Sequence, residues 1–167
     1  SYPLQKRMIE QRQEDLDSLQ ALLEKMNIIV KRPKRLETMK EFRTPHFSGF
    51  MTSANNPRDQ ILIAGNEIIE TPCVNRNRYF ENDQLKHILY DYFNRGSRWT
   101  CAPRPTMSDE SFDFSKVQTE PGKAAQWTSF QNSNESFEMM FDAAQCLKFG
   151  QDIVMNISNA NHELGAR

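Results

Sequence analysis

The sequence predicts a mixed α/β fold assembled from a repeated module, and three observations carry that expectation. Amphipathic helical stretches alternate with short β-rich runs, a Gly-Asn pair joins two apolar runs in the manner of a hairpin, and one order of elements occurs twice along the chain.

The first helix is expected from about Leu4 to Met26. Leu16, Leu19, Leu22, Leu23 and Met26 recur at helical spacing, while Glu14, Asp15, Asp17, Gln20 and Glu24 fill the other face. Asn27 suits the helix end because it tolerates left-handed backbone. The β-rich Ile28-Ile29-Val30 that follows reads as a strand stopped by Arg32-Pro33. Gln60–Ala64 and Glu67–Glu70 then flank Gly65-Asn66, a pair suited to the positive φ of a two-residue hairpin turn. A second helix is expected over Glu81–Arg95, with Leu85, Ile88, Leu89, Tyr92 and Phe93 on one face and Gly96 ending it. Arg98–Ala102 reads as a strand, stopped by Pro103 and Pro105. Residues 107–138 are polar and irregular and read as a long surface loop, in which Trp127 and Phe130 could anchor a turn. A short element over Phe141–Phe149 is separated by Gly150-Gln151 from a strand over Asp152–Ile157. Both helices are expected to pack outside a sheet of these strands, burying Leu85, Ile88, Leu89 and Tyr92.

Helix, strand, proline stop, loop, aspartate, glycine and strand run from Leu22 to Ile69 and again from Leu89 to Val154. Asp59 precedes Gly65-Asn66 as Asp142 precedes Gly150-Gln151, so the two aspartates are expected on one side of the fold at equivalent positions. A period of about 70 residues is longer than common solenoid repeats and suits a propeller-like array of α/β modules. Two copies leave open sheet edges, which points to part of a larger closed assembly.

Composition narrows the function. The 167 residues are 38% hydrophobic, long enough for one sizeable core. The 21 Lys and Arg against 22 Asp and Glu leave a net charge of −1, which disfavours a nucleic-acid protein. No apolar run approaches a membrane span, and Ser1–Glu10 lacks a signal-peptide centre. Cys73, Cys101 and Cys146 are widely spaced and cannot all pair, so reduced thiols in a cytosol-like compartment are expected. These features predict a soluble, cytoplasmic, globular protein.

Asp59, in Asn-Pro-Arg-Asp, and Asp142, in Phe-Asp-Ala-Ala, each stand at the entrance to an apolar element. A carboxylate there needs hydrogen bonds or a cation, because a buried unpaired charge costs several kcal/mol. Converging near one axis, two such groups could hold a guanidinium, whose planar fork matches a carboxylate. Equally, each could cap a turn or pair with a neighbour such as Arg58. His46, His87 and His162 show no metal-ligand spacing, and read as surface or turn residues. Cys146 reads as a small buried thiol rather than a nucleophile, since no His accompanies it in sequence. Lys31–Arg35 reads as a solvated basic cluster, and Met139-Met140 as core filler.

Several motifs occur together in one order: Val30-Lys31-Arg32-Pro33, Thr44-Pro45, Asn56-Pro57-Arg58-Asp59, Gly65-Asn66-Glu67-Ile68-Ile69-Glu70, Arg76-Asn77-Arg78-Tyr79-Phe80-Glu81, Arg95-Gly96, Trp99-Thr100, Ala102-Pro103, Pro105-Thr106-Met107 and Phe141-Asp142-Ala143-Ala144. In these the chain resembles the glycine amidinotransferase family of the pentein superfamily, over nearly its whole length and most specifically from Pro57 to Glu81. The resemblance implies part of a pentein-type five-module α/β propeller of pseudo-symmetric ββαβ-like repeats. It implies transfer of the amidino group of arginine to an amine acceptor, leaving ornithine, through a covalent amidino-cysteine. Asp142 would be catalytic and Asp59 substrate-binding. No metal or organic cofactor is implied, neither nucleic acid nor membrane is a partner, and a homodimer is among the assemblies allowed.

The chain departs from the family pattern after Phe-Asp-Ala-Ala, where Gln145 and Cys146 replace an Asp and an aromatic. The family's His and nucleophilic Cys belong to motifs C-terminal to these residues, and none of the three cysteines occupies the nucleophile's motif. The resemblance therefore implies an internal piece of about two modules, inactive alone. A non-catalytic module that binds guanidino compounds or a protein is the alternative, and a guanidine hydrolase or deiminase is a third reading.

Overall fold

A computed structural model describes residues 3–36, 40–54, 56–72, 74–113, 131–132, 138–158, 161 and 163–167. Cys73, Trp127, Phe130 and His162 lie outside the described residues. The chain divides into two compact units, residues 1–32 and 33–167.

The first unit is helix α1, Pro3–Lys25. Its end is set locally. Asn27 adopts φ 60°, and the amides of Asn27 and Ile28 turn back to the carbonyls of Glu24 and Leu23, both at 3.0 Å. This is the left-handed stop that glycine or asparagine provides best. Arg32 reaches back to the Asp17 carboxylate at 2.8 Å and to the Leu16 carbonyl at 3.1 Å. Leu16, Leu19, Leu22 and Met26 are exposed. Residues 28–30 form no strand, contrary to their composition. β-branched residues favour a strand only where a neighbouring backbone accepts the ladder.

The second unit begins with a hairpin that composition did not announce, β1 (Glu41–Arg43) against β2 (Ser48–Phe50). Its turn is built by Thr44, whose hydroxyl accepts the amides of His46 and Phe47 at 3.2 and 3.1 Å. The expected central hairpin follows as β3 (Ile61–Ala64) and β4 (Glu67–Glu70), antiparallel with Ala64 opposite Glu67. Only Gly65 of the turn pair takes positive φ, at 59°, the pattern in which glycine leads a two-residue turn. A one-turn helix, Glu81–Gln84, precedes helix α2, Lys86–Asn94, and Gly96 at φ 97° ends the segment. Strand β5 (Arg98–Cys101) then lies parallel to β4, with Ile68 beside Trp99. A parallel neighbour requires such a crossover, because a tight turn can join only antiparallel strands.

Strand β6 (Phe112–Asp113) pairs with β7 (Gln131–Asn132), the described ends of the long polar segment. The second hairpin is β8 (Cys146–Phe149) and β9 (Asp152–Met155), closed by Gly150 at φ 60°. A short helix α3, Glu163–Ala166, completes the described chain. The second copy of the repeat thus reproduces the first as a helical turn feeding a glycine-led hairpin.

Ile68, Leu85 and Leu89 are buried between α2 and the sheet, with Ile61, Ile88 and Trp99 packed around them. Tyr92 is 39% exposed, against expectation, and carries the Arg95 guanidinium over its ring at 4.9 Å. Leu62, Phe141, Ala143 and Cys146 form a further cluster joining the two hairpins. Phe47, Met107 and Met140 form a third, edged by Phe42 and Tyr79. Met140 fills core as expected, whereas Met139 is exposed. Leu89→Ala should lower stability by about 2–5 kcal/mol in a urea titration, the range for buried leucines. A loss below about 1 kcal/mol would place α2 at the surface.

Candidate functional site

Asp59 stands at the end of a single helical turn, Pro57–Asp59, that tips directly into β3. Proline fixes the first φ of such a turn, and the Asp59 amide closes it on the Asn56 carbonyl at 3.0 Å. The carboxylate is held by Arg78, from another one-turn helix, Arg76–Arg78, which the Asn75 side chain caps. Arg78 Nη1 donates to Asp59 Oδ2 at 2.8 Å. Its Nε and Nη2 donate to Glu81 Oε2 and Oε1 at 2.5 and 2.9 Å, the two-pronged geometry that only a guanidinium supplies. Nη2 also reaches the Asn56 carbonyl at 3.3 Å. The Glu81 side chain is 3% exposed, and those of Arg78 and Asp59 about one-fifth exposed. Hydrogen bonding to Glu81 raises the pKa of Arg78 against the opposing effect of burial, and Asp59 adds to it. Arg78 is therefore a fixed positive charge.

Asp142 has a different environment. It caps the turn Ala143–Gln145, its Oδ1 accepting the Ala144 amide at 2.8 Å, and its own amide donates to Asn161 Oδ1 at 2.7 Å. Among the described residues no cation lies within ion-pair distance of its carboxylate. Burial pushes Asp142 above the ordinary Asp value. The Ala144 amide pulls it back, the Asp59 charge adds to the rise, and Arg78 and Arg58 oppose it.

The Asp59 charge thus reaches Asp142, and the turns that carry the two aspartates touch. Their positions in the repeat are not equivalent, which corrects the sequence expectation. Asp142 precedes its turn as the cap, whereas Asp59 closes its turn and Asn56 occupies the cap position. A cavity of about 440 Å³ is lined by Pro57, Arg58, Leu62, Ala143, Cys146 and Lys148, and neither aspartate is part of its lining. Arg78 is paired with two carboxylates, Asp59 and Glu81, while Asp142 is in ion-pair contact with neither Arg78 nor Arg58 and feels both only at longer range. Of the alternatives left open for these acids, Asp142 caps a turn and Asp59 pairs with an arginine, though with Arg78, nineteen residues along the chain, rather than with the adjacent Arg58.

Cys146 is buried, and desolvation together with the Asp142 charge pushes its thiol up, so it stays protonated. Cys101 is likewise pushed up, by burial and by Glu70, to which its Sγ donates at 3.3 Å. Neither environment makes a thiolate. Glu70 also accepts Lys86 Nζ at 2.5 Å, Trp99 Nε1 at 2.8 Å and Asn82 Nδ2 at 3.1 Å. Burial pushes Glu70 up, but Lys86, Cys101 and Trp99 together hold it below the ordinary Glu value. A second cavity, of about 350 Å³ beside Glu70, likewise includes neither Asp59 nor Asp142 in its lining. His46 and His87 are exposed, and among the described residues no cluster of His, Cys, Asp or Glu is placed to hold a metal ion.

Arg78 and Glu81 were not singled out as site residues in the sequence. Their i, i+3 spacing within Arg76–Glu81 was the available signal.

No family model matches the chain. It is 37% identical over 155 residues to the mitochondrial glycine amidinotransferase of Gallus gallus, covering 90% of this chain and 36% of the relative. It is 32% identical over 163 residues to the L-arginine:L-lysine amidinotransferase of Pseudomonas savastanoi pv. phaseolicola, covering 98% of this chain and 44% of the relative. Among solved structures it is similar to an inosamine-phosphate amidinotransferase of Streptomyces griseus, with a TM-score of 0.78 and 34% identity over 99% of this chain and 43% of the other. It is also similar to an amidinotransferase of the saxitoxin biosynthetic pathway of Microseira wollei, with a TM-score of 0.81, 36% identity and coverage of 99% and 45%. The chain therefore spans well under half the length of the amidinotransferases it matches. No helix among the described residues is long and apolar enough to cross a membrane.

Opposite pKa directions give opposite pH dependences. Glu70 is held below its unfolded value of 4.5, so its stabilisation is complete above that pH and is lost as pH falls through the folded value. Glu70→Gln should lower the urea midpoint at pH 7, and the deficit should shrink in acid. Asp142 is raised above its unfolded value of 3.8, so it favours the folded state in acid and disfavours it once pH exceeds the folded value. Asp142→Asn should leave the midpoint at pH 7 unchanged or higher. A marked destabilisation at pH 7 would show a hidden cation partner.

Proposed function

We propose that this chain, a relative of the amidinotransferases in sequence and fold, forms the guanidinium-binding part of an enzyme that moves the amidino group of arginine to an amine acceptor. The observation that carries the reading is the Asp142 carboxylate, which caps a turn touching that of Asp59 and has no ion-pair partner among the described residues. A guanidinium entering there supplies the cation that Asp142 lacks, and its planar N–H groups fit carboxylate oxygens.

Asp142 is the catalytic carboxylate in this reading, orienting the guanidinium carbon toward a cysteine thiolate. Attack forms the C–S bond, the C–N bond to ornithine breaks, and a histidine delivers the proton to the departing nitrogen. The acceptor amine then attacks the amidino-cysteine and releases the thiolate. Asp59 binds the substrate. On this reading the nucleophile and histidine belong to the family motifs expected C-terminal to these residues, and the raised Cys101 and Cys146 thiols support that. The two glycine-led hairpins are, on this reading, consecutive modules of a five-module propeller, and residues 1–167 are part of that single domain. Unpaired cysteines at 101 and 146 support a reducing, cytoplasm-like compartment. The same protonated thiols support a second reading, a guanidino-binding module without catalysis.

Calorimetric titration with arginine tests the binding role. Asp142→Asn and Asp59→Asn should each weaken binding about tenfold or more, which corresponds to roughly 1.4 kcal/mol. Unchanged affinity in both variants would remove the site. Intact-mass spectrometry tests the chemistry, since incubation with arginine should leave the mass of this chain unchanged and release no ornithine. In a longer protein bearing the His and Cys motifs, Asp142→Asn should abolish most turnover, while Asp59→Asn should mainly raise KM. An amidino adduct on Cys73, Cys101 or Cys146 would overturn the placement of the nucleophile.

A further inference from the structure

We propose that Arg78, gripped by Glu81, is the positioning residue of the aspartate site: it fixes the Asp59 carboxylate and leaves Asp142 as the carboxylate open to an incoming cation. This rests on the guanidinium-binding reading above and assigns a role to residues that touch no substrate.

The geometry is specific to arginine. Three nitrogens of one planar group engage four acceptors: Asp59 Oδ2 at 2.8 Å, Glu81 Oε2 and Oε1 at 2.5 and 2.9 Å, and the Asn56 carbonyl at 3.3 Å. Glu81, at 3% exposure, cannot swing away, so it fixes the plane of the fork and with it the direction of the nitrogen that reaches Asp59. The Asn56 contact ties the same guanidinium to the cap position of the turn that carries Asp59. The backbone is tied as well, since the buried Gln60 side chain donates to the Arg78 carbonyl at 3.3 Å. Asp59 is thereby held by a cation of the protein itself, while Asp142 has only the Ala144 amide.

The charge balance gives Arg78 a second effect. The charged groups that act on Asp142 are Asp59 and Arg58 from the turn before β3 and Arg78 from the turn at 76–78, and Asp142 in turn acts on the Cys146 thiol at the head of β8. Without Arg78, Asp59 would lose its ion-pair partner and Asp142 would face the Asp59 charge with Arg58 as the remaining opposing charge, and neighbouring acids left so share protons. A protonated Asp142 attracts a guanidinium poorly. Lysine would restore the charge but not the fork, since an ammonium is a point donor with no fixed plane.

Carboxyl carbon NMR titrations of Asp59 and Asp142 in the 167-residue chain, with and without arginine, test this in Arg78→Met, Arg78→Lys and Glu81→Gln. Arg78→Met should move the Asp142 midpoint upward and weaken arginine binding at pH 7 by about tenfold or more, which is about 1.4 kcal/mol. Arg78→Lys should keep the Asp142 midpoint near its parent value yet still weaken arginine binding, which separates orientation from charge. Glu81→Gln should weaken binding several-fold by loosening the fork. Unchanged midpoints and unchanged affinity in folded Arg78→Met would overturn the proposal. If that variant does not fold, unchanged affinity in both Arg78→Lys and Glu81→Gln would overturn it. If the parent chain itself binds no arginine, the functional reading fails, while the movement or constancy of the Asp59 and Asp142 midpoints in Arg78→Met still decides the positioning role.

Discussion

Arg78 joins segments that the sequence keeps apart: the turn before the central hairpin, the turn after it, and the one-turn helix that leads into α2. A buried ion pair adds little net stability, because desolvating its members offsets most of their attraction. What it supplies is geometry. Asp59 can sit at the head of β3 because a guanidinium reaches it at 2.8 Å, and Glu81 can be almost completely buried because the same guanidinium satisfies both its oxygens. Gln60, buried at the next residue, donates to the Arg78 carbonyl, so the start of the strand and its ion pair are fixed together.

The supply of donors separates the acids of this unit. Glu70 receives Lys86, Trp99, Cys101 and Asn82. Glu138 receives the Thr106 and Met107 amides and the hydroxyls of Thr106 and Ser111, and these hold it below the ordinary Glu value despite its burial. Both are structural anions whose charge is used up inside the fold. Asp142 is partly buried and accepts one backbone amide, and burial raises its pKa above the ordinary Asp value.

The two hairpins explain why the aspartates meet. Each follows a helical turn, each is led by a glycine at φ near +60°, and Leu62 of one packs with Phe141, Ala143 and Cys146 of the other. Packing the modules side by side brings the two turns together, and with them the acids. The surroundings of the hairpins differ: β3–β4 gains β5 and the cover of α2, whereas Leu147, Phe149 and Val154 of β8–β9 are more than half exposed. A strand reads as buried from composition alone, yet burial depends on what is packed beside it.

The sequence by itself determined whatever rests on local backbone chemistry. The stop of α1 at Asn27, the Gly65 and Gly150 turns, the end of α2 at Gly96 and the stripe through Leu85 and Leu89 were legible because each depends on residues within about one turn of each other. The two glycine-led hairpins were legible too, although the aspartates before them do not occupy equivalent positions. Tertiary structure decided the rest. It left Ile28–Val30 without a ladder, turned Tyr92 outward beneath Arg95, and paired Glu41–Arg43 with Ser48–Phe50. It also chose Arg78 over the adjacent Arg58 as the partner of Asp59. Spacing cannot make that choice. Which guanidinium reaches a carboxylate depends on where two turns fall in space and on a third group, Glu81, fixing the plane of the fork.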